Sequence, residues 1–294
     1  MKTTLLDLLA SSEIVIADGA MGSRLMAAGM PIGQAPELWN VENPEAVRDV
    51  HRSYVEAGSQ IILSNSFGGS RATLGRNGLH ERTSELNQAA AENARSVADA
   101  APHPVAVGGS IGPSGEMFAP FGPLDADSGR ELFAEQAAAL AAGGVDVLWI
   151  ETMSDLNEVQ AAVAGCRQAA PHLPVVTTMS FDRKGRTMMG TTPQQALETL
   201  KPLGVIALGG NCGNGPDEVL GVIEKMHALD PAVVLVAKAN AGMPRLESGR
   251  TIYDAGPQEM GVYAVQAREN GARIIGACCG STADHIRAIA EALR

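Results

Sequence analysis

The chain has 294 residues, of which 45% are hydrophobic and 19% charged, a balance that supports a large buried core and excludes an intrinsically disordered chain. The 22 Lys and Arg residues stand against 33 Asp and Glu residues, which gives a net charge of −11. This acidity argues against nucleic acid or an anionic membrane surface as a partner, since both require a concentrated basic face.

Eight short apolar runs recur along the sequence and are predicted to be strands. Each is followed by a cluster of Gly, Ser, Asn or Pro and then by a longer stretch with helical periodicity. The mean spacing of about 37 residues matches one strand, one helix and two loops. The predicted strands are Ile14–Ala17, Gln60–Ser64, Val105–Gly108, Val145–Ile150, Val175–Met179, Val205–Leu208, Val233–Ala237 and Arg273–Ile275.

Helices are predicted between these strands from start and stop signals. The first begins at Asn43-Pro44, with an N-cap followed by Pro at the first helical position, and ends at Ala57-Gly58. The remaining predicted helices are Glu81–Ala100, Ser128–Ala142, Ser154–Ala170, Thr192–Leu203, Pro216–Leu229, Pro257–Asn270 and Thr282–Leu293.

The order of these elements predicts the fold class. The strands are almost continuously apolar, as expected for parallel strands that are buried on both faces. Eight strand–helix units without a change in composition predict a single (β/α)8 TIM barrel, with residues 1–294 as one domain. The alternative is an open doubly wound sheet, which would bind its ligand where the strand order reverses. The least regular connection, Ala239–Tyr253, is predicted to be a mobile active-site loop.

Cysteine content and the amino terminus indicate the compartment. Four cysteines are too few for a disulfide framework in a chain of this length, which favours a reducing environment. The amino-terminal segment carries Asp7 and Glu13 and has no signal-peptide pattern. No apolar stretch approaches the roughly 18 residues of a membrane span. The sequence therefore predicts a cytoplasmic protein.

The active site of such a barrel lies at the carboxyl ends of its strands. The residues directly after the predicted strands are rich in chemistry-bearing side chains, including cysteines after the sixth and eighth strands. The candidates in chain order are Asp18, Gly19, Ser64, Asn65, Ser110, Glu151, Asn211, Cys212, Cys278 and Cys279.

Three of the four cysteines are expected to meet at one rim of the barrel. Three thiolates form a soft site suited to zinc, with one tetrahedral position left for an exogenous ligand. Because adjacent residues of a regular strand point to opposite faces, Cys278 and Cys279 can both ligate only if the strand breaks there, which Gly276 and Gly280 allow. The alternatives are ordinary buried cysteines, as expected for Cys166 on a predicted helix, or a strained bond between the adjacent pair.

The motifs around these residues resemble the homocysteine S-methyltransferase family. That family includes betaine-homocysteine methyltransferase, enzymes that use S-methylmethionine and the homocysteine-binding barrel of cobalamin-dependent methionine synthase. The matching motifs are DGAMGSRL, ILSNSFGGS, IETMSDLNE, GGNCG and IIGACCGSTADHI, and they are spread over nearly the whole chain. The family fold is a (β/α)8 barrel, in agreement with the count of predicted strands.

The resemblance implies a zinc-dependent homocysteine S-methyltransferase that forms L-methionine, with Cys212, Cys278 and Cys279 as the catalytic zinc ligands. Coordination removes the proton from the homocysteine thiol, and only the thiolate attacks a methyl group. Asn211 resembles the Asn that occupies the open zinc position in substrate-free barrels of the methionine synthase type. Alternatively, Asn211 is a turn residue, or it contacts a zinc ligand without binding the zinc itself.

The resemblance also implies a site for the L-homocysteine backbone. Asp18 and Glu151 match positions that hold the α-amino group, although an Asp at a strand end is ordinarily an N-cap of the next helix. Gly19 and the region of Ser110 are predicted to donate to the carboxylate. Ser64 and Asn65 are further substrate-binding candidates.

For the methyl donor, the sequence favours a methylcorrinoid carried by a separate protein. The corrinoid motif Asp-x-His-x-x-Gly is incomplete, since Asp49 and His51 are followed by Tyr54 where Gly is required. The alternatives are a small donor, namely S-methylmethionine, dimethylsulfoniopropionate or betaine, and a homocysteine- or thiol-binding module without catalysis. Betaine is disfavoured because the betaine enzymes place a Tyr where this chain has Gly68. An anion-binding loop over Gly209–Gly215 is a further alternative, but it lacks the Lys of a phosphate loop.

Overall fold

Eight parallel strands lie at the centre of the molecule in a computed structural model, which describes residues 3–247 and 250–294. All eight begin within three residues of the predicted positions. The barrel strands are β1 (Val15–Ile16), β2 (Ile61–Leu63), β3 (Ala106–Ile111), β4 (Val147–Met153), β5 (Val175–Met179), β6 (Ala207–Cys212), β7 (Leu235–Ala239) and β10 (Ala272–Ala277).

The strands are ordered β1-β10-β7-β6-β5-β4-β3-β2. A parallel bridge between Ala17 and Ile61 brings the two ends of this series together, and the Gln60 amide donates to the Ile16 carbonyl at 2.7 Å. The prediction of a single (β/α)8 TIM barrel is confirmed. The open doubly wound alternative is wrong, because the order never reverses and the first strand meets the second.

Helices follow the strands around the barrel. Four short helices, α1, α2, α3 and α5, have no counterpart among the predicted ones. The helices are α1 (Leu5–Ser11), α2 (Gly22–Ala27), α3 (Trp39–Glu42), α4 (Pro44–Ala57), α5 (Arg71–Gly75), α6 (Thr83–Asp99), α7 (Ala126–Ala142), α8 (Leu156–Ala169), α9 (Pro193–Leu200), α10 (Pro216–Leu229), α11 (Pro257–Glu269) and α12 (Ala283–Ala292).

The ends of α4 show how far local signals specify a helix. Pro44 occupies the first turn as predicted, but Asn43 makes no capping hydrogen bond with its side chain. Gly58 ends the helix in a left-handed conformation with φ of 109°, which glycine adopts at little steric cost. A 3-10 turn, Lys201–Leu203, continues α9 to the predicted end of that helix.

The core has two layers, one inside the barrel and one between the strands and the helices. Leu5 and Leu8 of α1 pack into the inner layer with Trp149 and Ile274. Since α1 directly precedes β1, it covers the amino-terminal end of the barrel, and burial of these two leucines contributes about 1.5–3 kcal/mol each. The carboxyl end is thereby left as the open end.

The connection after β7, predicted to be an active-site loop, contains one short regular element. Arg245–Glu247 (β8) and Arg250–Ile252 (β9) pair as an antiparallel hairpin, while residues 248 and 249 of the predicted loop lie outside the described residues. The mobility of this connection stays a prediction.

In the described part of the chain, the helices are too short or too polar to cross a membrane.

Candidate functional site

A cavity of about 480 Å³ opens at the carboxyl end of the barrel. Nine of the ten residues selected from the sequence line it, and they come from the ends of six strands. The tenth, Asn211, lies behind the wall and is almost fully buried. The nine are Asp18, Gly19, Ser64, Asn65, Ser110, Glu151, Cys212, Cys278 and Cys279.

The three cysteines converge on one side of the cavity. Their sulfur atoms all lie within 4.8 Å of one another, and those of Cys212 and Cys278 are 2.8 Å apart. Cys212 ends β6, whereas Cys278 and Cys279 follow the last residue of β10. Cys166 is fully buried on α8, away from this group. Of the described residues, this trio is the group of metal-binding side chains that could hold an ion.

The expected break after β10 is confirmed, but only one of the two glycines causes it. Gly280 has a φ of +80°, which lets the chain turn after the two cysteines. Gly276 serves another purpose, because a Cβ there would lie 2.8 Å from the carbonyl oxygens of Ala17 and Asp18. Glycine at 276 therefore permits close contact with β1, and the turn depends on Gly280.

The three cysteines share their protons through hydrogen bonds. Hydrogen bonding to Cys278 and Cys279 raises the pKa of Cys212, and hydrogen bonds from Cys212 and Cys278 lower the pKa of Cys279. One thiolate is thus stabilised by two thiols, and three thiolates require a positive charge among them. Zinc with Zn–S bonds of about 2.3 Å fits a group of three sulfurs of this size.

An unpartnered amide oxygen lies near this group. Asn240 is buried, and its Nδ2 donates to the carbonyl of Gly213 at 2.7 Å, while its Oδ1 has no partner among the described residues. The neighbouring Ala241 amide donates to the Cys279 carbonyl at 3.0 Å. A buried oxygen without a partner is costly, so Asn240 joins the donor groups that suit a metal ion here. Asn240 was not among the residues predicted from the sequence.

The predicted role of Asn211 as a metal ligand does not agree with its hydrogen bonds. Its Oδ1 accepts from the Thr152 amide at 2.8 Å and from the Thr178 hydroxyl at 2.7 Å. Its Nδ2 points toward the sulfurs of Cys212 at 3.6 Å and Cys278 at 3.8 Å. An amide nitrogen donates hydrogen bonds and does not ligate a cation. Asn211 therefore supports the sulfurs from behind.

The Asn211 side chain lies between two residues whose backbone is strained. Thr152 and Cys212 are the non-glycine residues with positive φ in the described chain, at 64° and 59°. Both lie at strand ends, and the Asn211 side chain bonds to the Thr152 amide and hydroxyl. Backbone strain of this kind persists only where surrounding contacts enforce it.

Asn211→Ala is expected to lower the free energy of unfolding by about 1–3 kcal/mol, because the Thr152 amide and the Thr178 hydroxyl lose their acceptor. Urea unfolding of the metal-free protein measures this effect. Asn157→Ala, on the exposed start of α8, is the matched control and should change stability by less than about 0.5 kcal/mol. Equal stability of the two variants would contradict the supporting role.

A buried ion pair lies at the base of the cavity. Asp18 accepts from Lys238 Nζ at 2.7 Å and from the Leu63 amide at 2.7 Å, and both charged residues are only 2% exposed. The Lys238 ammonium also lies 5.8 Å from the centre of the Trp149 ring. Burial alone would lower the pKa of Lys238, but the charges of Asp18 and Glu151 outweigh it and raise the pKa. Both Asp18 oxygens are therefore engaged by protein groups.

Glu151 has a carboxylate oxygen left for a ligand. Its Oε1 accepts from the Ser110 hydroxyl at 2.6 Å, and its Oε2 has no partner among the described residues. Burial raises the pKa of Glu151 to about 7, although the positive charge of Lys238 opposes this change. A cationic group that enters the cavity would keep Glu151 ionised.

A serine network supports Glu151. The Ser110 amide donates to Ser64 Oγ at 3.1 Å, and Ser66 Oγ donates to the Ser110 carbonyl. Since the Ser66 proton is used in that bond, Ser64 donates to Ser66 at 2.7 Å. Ser64 and Ser110 therefore hold the site together, whatever they contribute to ligand binding.

Asn65 and Gly19 are constrained by packing. The Asn65 amide nitrogen donates to the carbonyl of Pro36 at 2.8 Å and to Asn40 Oδ1 at 2.9 Å, so its N–H groups already have partners. A Cβ on Gly19 would lie 2.4 Å from Ser281 Oγ. Trp39 belongs to the hydrophobic core and donates to Gln34, so its ring is held by packing as well.

Two more lining residues were not predicted. Lys238 directly follows a predicted strand, and a lysine beside a buried apolar run is the signal that could have revealed it. Tyr253, from the connection after β7, lines the cavity beside Cys279, and burial followed by the nearby thiolate raises its pKa. Tyr253 ends the connection predicted to be an active-site loop, but no sequence pattern distinguishes it from the other residues of that connection.

The chain belongs to the homocysteine S-methyltransferase family, whose profile matches residues 15–293. It is 33% identical to the methionine synthase of Mycobacterium tuberculosis over 99% of its own length, but it covers only 25% of that protein. The chain thus spans about a quarter of the length of the curated relatives that it matches.

Solved structures agree with this family. The metallated form of the homocysteine methyltransferase MmuM from Escherichia coli has a TM-score of 0.81 and 26% identity, with 97% of this chain and 98% of that chain covered. DHDPS from Cyanidioschyzon merolae, at a TM-score of 0.53 and 14% identity over 96% of this chain and 74% of that one, shares the fold alone.

Proposed function

We propose that this protein transfers a methyl group to the thiol of L-homocysteine, giving L-methionine, with zinc held by Cys212, Cys278 and Cys279. The observation that carries the proposal is the convergence of three sulfurs within 4.8 Å on the cavity that Glu151 also lines. A thiol that entered the cavity would lie close to a metal ion held by the three cysteine sulfurs and to the carboxylate of Glu151. The proposal includes residues 1–294 as one homocysteine-binding domain and a cytoplasmic location.

In this proposal the homocysteine ammonium binds Glu151, whose Oε2 is free of partners among the described residues. Asp18 shapes the same region but is already paired with Lys238. Ser110 orients Glu151 through a 2.6 Å hydrogen bond. The backbone around Gly19 and Ser110 supplies polar groups for the carboxylate of the substrate.

Zinc would supply the positive charge that keeps the homocysteine sulfur deprotonated and nucleophilic at neutral pH. The chain itself contributes the geometry, since Asn211 holds the ends of β4 and β6 together and Gly280 turns Cys278 and Cys279 toward the cavity. Because the acceptor sulfur is held in one orientation, a bimolecular reaction becomes effectively unimolecular and therefore faster.

Homocysteine binding is expected to weaken about tenfold as the pH falls from 8 to 6, because protonation of Glu151 near pH 7 removes the partner of the substrate ammonium. The direction follows from the raised pKa, since the ionised form exists only above it. Titration calorimetry with the zinc-loaded protein at several pH values measures the dependence.

Glu151→Gln separates this effect from deprotonation of the substrate thiol, which also favours high pH. The variant should bind homocysteine more weakly at pH 8 and lose the part of the pH slope that belongs to Glu151. Wild-type and Glu151→Gln proteins with parallel pH profiles would contradict the assignment.

The donor is tested by a panel with homocysteine as acceptor and methionine as readout. The panel contains betaine, S-methylmethionine, dimethylsulfoniopropionate, methylcobalamin and a methylated corrinoid protein. Methionine formed with any of these supports the proposal. Homocysteine binding without methionine from any donor would instead favour a module that captures homocysteine or another thiol without turnover. Of these donors, the sequence favours the methylated corrinoid protein. The charge of the cavity also affects which donor can bind.

A further inference from the structure

Glu37 is a buried carboxylate that lines the cavity together with Met26 and Phe67, whose exposed side chains mark the outer part of the cavity. It lies in a 3-10 turn, Pro36–Leu38, and is 4% exposed. Its Oε1 accepts from the Gly68 amide at 2.7 Å, and its Oε2 has no hydrogen-bond or ion-pair partner on another described residue. The carboxylate lines the cavity. Burial raises the pKa of Glu37, as expected for a charge without a counter-ion.

The position of this carboxylate is built into the fold. The Asn65 side chain donates to the Pro36 carbonyl at 2.8 Å, which anchors the turn to the loop after β2. A Cβ on Gly68 would lie 3.0 Å from Glu37 Oε1, so glycine at 68 lets the carboxylate reach the amide. Both contacts fix Glu37 at the cavity wall, and a buried, rigid, unpaired carboxylate is costly unless a ligand compensates it.

The charges that line the cavity do not balance. Three carboxylates line it, those of Asp18, Glu37 and Glu151, and Lys238 is the cation among the described lining residues. Lys238 is paired with Asp18. In the proposed function, the homocysteine ammonium compensates Glu151. Glu37 therefore remains the carboxylate that still lacks a positive partner.

The surroundings of Glu37 suit a methylated cation. The outer cavity is lined by Met21, Met26 and Phe67, and Phe67 is 45% exposed. An aromatic face and polarizable thioethers attract a weakly hydrated cation, and a carboxylate adds the opposite charge. Neutral ligands would leave Glu37 uncompensated.

We propose that Glu37 binds a positively charged methyl donor in the outer cavity and is the residue that selects donors by charge. The inference rests on the proposed transfer to homocysteine. With a methylsulfonium donor, the bond between the donor sulfur and its methyl carbon breaks, and its electron pair stays on that sulfur as a neutral thioether. The homocysteine thiolate supplies the pair for the new S–CH3 bond, so no other reactant is required.

Net charge distinguishes the small donors. S-methylmethionine carries a sulfonium, an ammonium and a carboxylate, and so has one net positive charge. Betaine and dimethylsulfoniopropionate are neutral overall, and their carboxylates would meet an acidic wall whose lysine is already paired. S-methylmethionine is therefore the expected donor among the three, and it should also exceed methylcobalamin.

The experiment compares wild-type and Glu37→Gln proteins, both loaded with zinc, in homocysteine methylation by S-methylmethionine. Gln keeps an oxygen for the Gly68 amide and removes only the charge. The KM for S-methylmethionine should rise about 10- to 100-fold, which corresponds to one lost charge-assisted contact, while the KM for homocysteine stays within about twofold. Calorimetric titration of S-methylmethionine without homocysteine should show the same loss of affinity.

Two controls isolate the charge of Glu37. Glu56→Gln makes the same change in net charge on an exposed position of α4 and should leave both KM values unchanged. Glu37→Gln should melt at the same or a higher temperature than wild type, since it removes a buried charge, whereas a residue with only a structural role would lower it. If Glu37→Gln fails to fold, Glu37→Asp keeps the charge, withdraws it by one methylene and should give an intermediate rise in KM.

The outcomes separate this inference from the proposed function. Unchanged KM and affinity for S-methylmethionine in Glu37→Gln would overturn the role of Glu37. Methionine formed only with a methylcorrinoid would also overturn it, yet would leave the transfer to homocysteine intact. No methionine with any donor would overturn the proposed function, and the calorimetric comparison would then still decide whether Glu37 binds a cation.

Discussion

Replacing Cys278 with alanine is expected to remove the bound metal and to reduce homocysteine methylation by a factor on the order of 10³. The loss of activity has two causes. A free thiol is only a few per cent thiolate at neutral pH. In addition, an acceptor sulfur that is no longer held in one orientation is methylated about 100-fold more slowly. Metal analysis of the purified protein and a methionine assay measure the two effects separately.

Cys166→Ala is the matched control, because it makes the same substitution at a cysteine away from the cavity. Burial raises the pKa of Cys166 to about 12, so this thiol stays protonated and does not bind metal. The variant should keep full metal content and activity with a small loss of stability. A Cys278→Ala protein that retained metal and activity would contradict the assignment of the three cysteines.

Lys238→Met is expected to lower the free energy of unfolding by about 3–5 kcal/mol, because it leaves Asp18 buried without its counter-ion. The pair is only 2% exposed on both sides, so solvent cannot compensate the remaining carboxylate. Urea unfolding at neutral pH measures the change. Met is similar in size to the aliphatic part of Lys, which limits any contribution from an empty cavity.

A second substitution tests the cause of this loss. Asp18→Asn in the Lys238→Met background removes the uncompensated charge and keeps an oxygen for the Leu63 amide, so the double variant should be more stable than Lys238→Met alone. Lys201→Met breaks an exposed pair with Asp230 and should cost less than about 1 kcal/mol. A double variant less stable than the single one would contradict the ion-pair explanation.

Sequence periodicity predicted the barrel because every strand of a parallel barrel is buried on both faces and so reads as an apolar run. Periodicity fails to predict an element, or its end, where the residues do not follow that pattern. The apolar run of β4 ends at Ile150, but pairing continues to Met153 through a register shift, and polar residues there hide the end of the strand. The helix α1 was missed although Thr4 and Asp7 form a capping box, since seven residues give too little periodicity.

The site was predictable where one residue type has one dominant chemistry. Three cysteines at strand ends indicate a soft metal site, and the structure brings their sulfurs together. The orientation of Asn211 could not be predicted, because an amide both donates and accepts and only its partners decide which end faces the sulfurs. Glu37 was missed because it lies in a turn outside the strand ends, and its position depends on the Gly68 amide and on the bond from Asn65 to the Pro36 carbonyl, both distant in sequence.

X-ray absorption at the zinc edge examines the proposed three-cysteine site itself, because it counts the sulfur atoms bound to the metal. The zinc-loaded protein should show three sulfur ligands from Cys212, Cys278 and Cys279 at about 2.3 Å, with one lighter atom completing the site. Addition of L-homocysteine should raise the sulfur count to four. A count below three in the free protein, or a count that homocysteine leaves unchanged, would contradict the account.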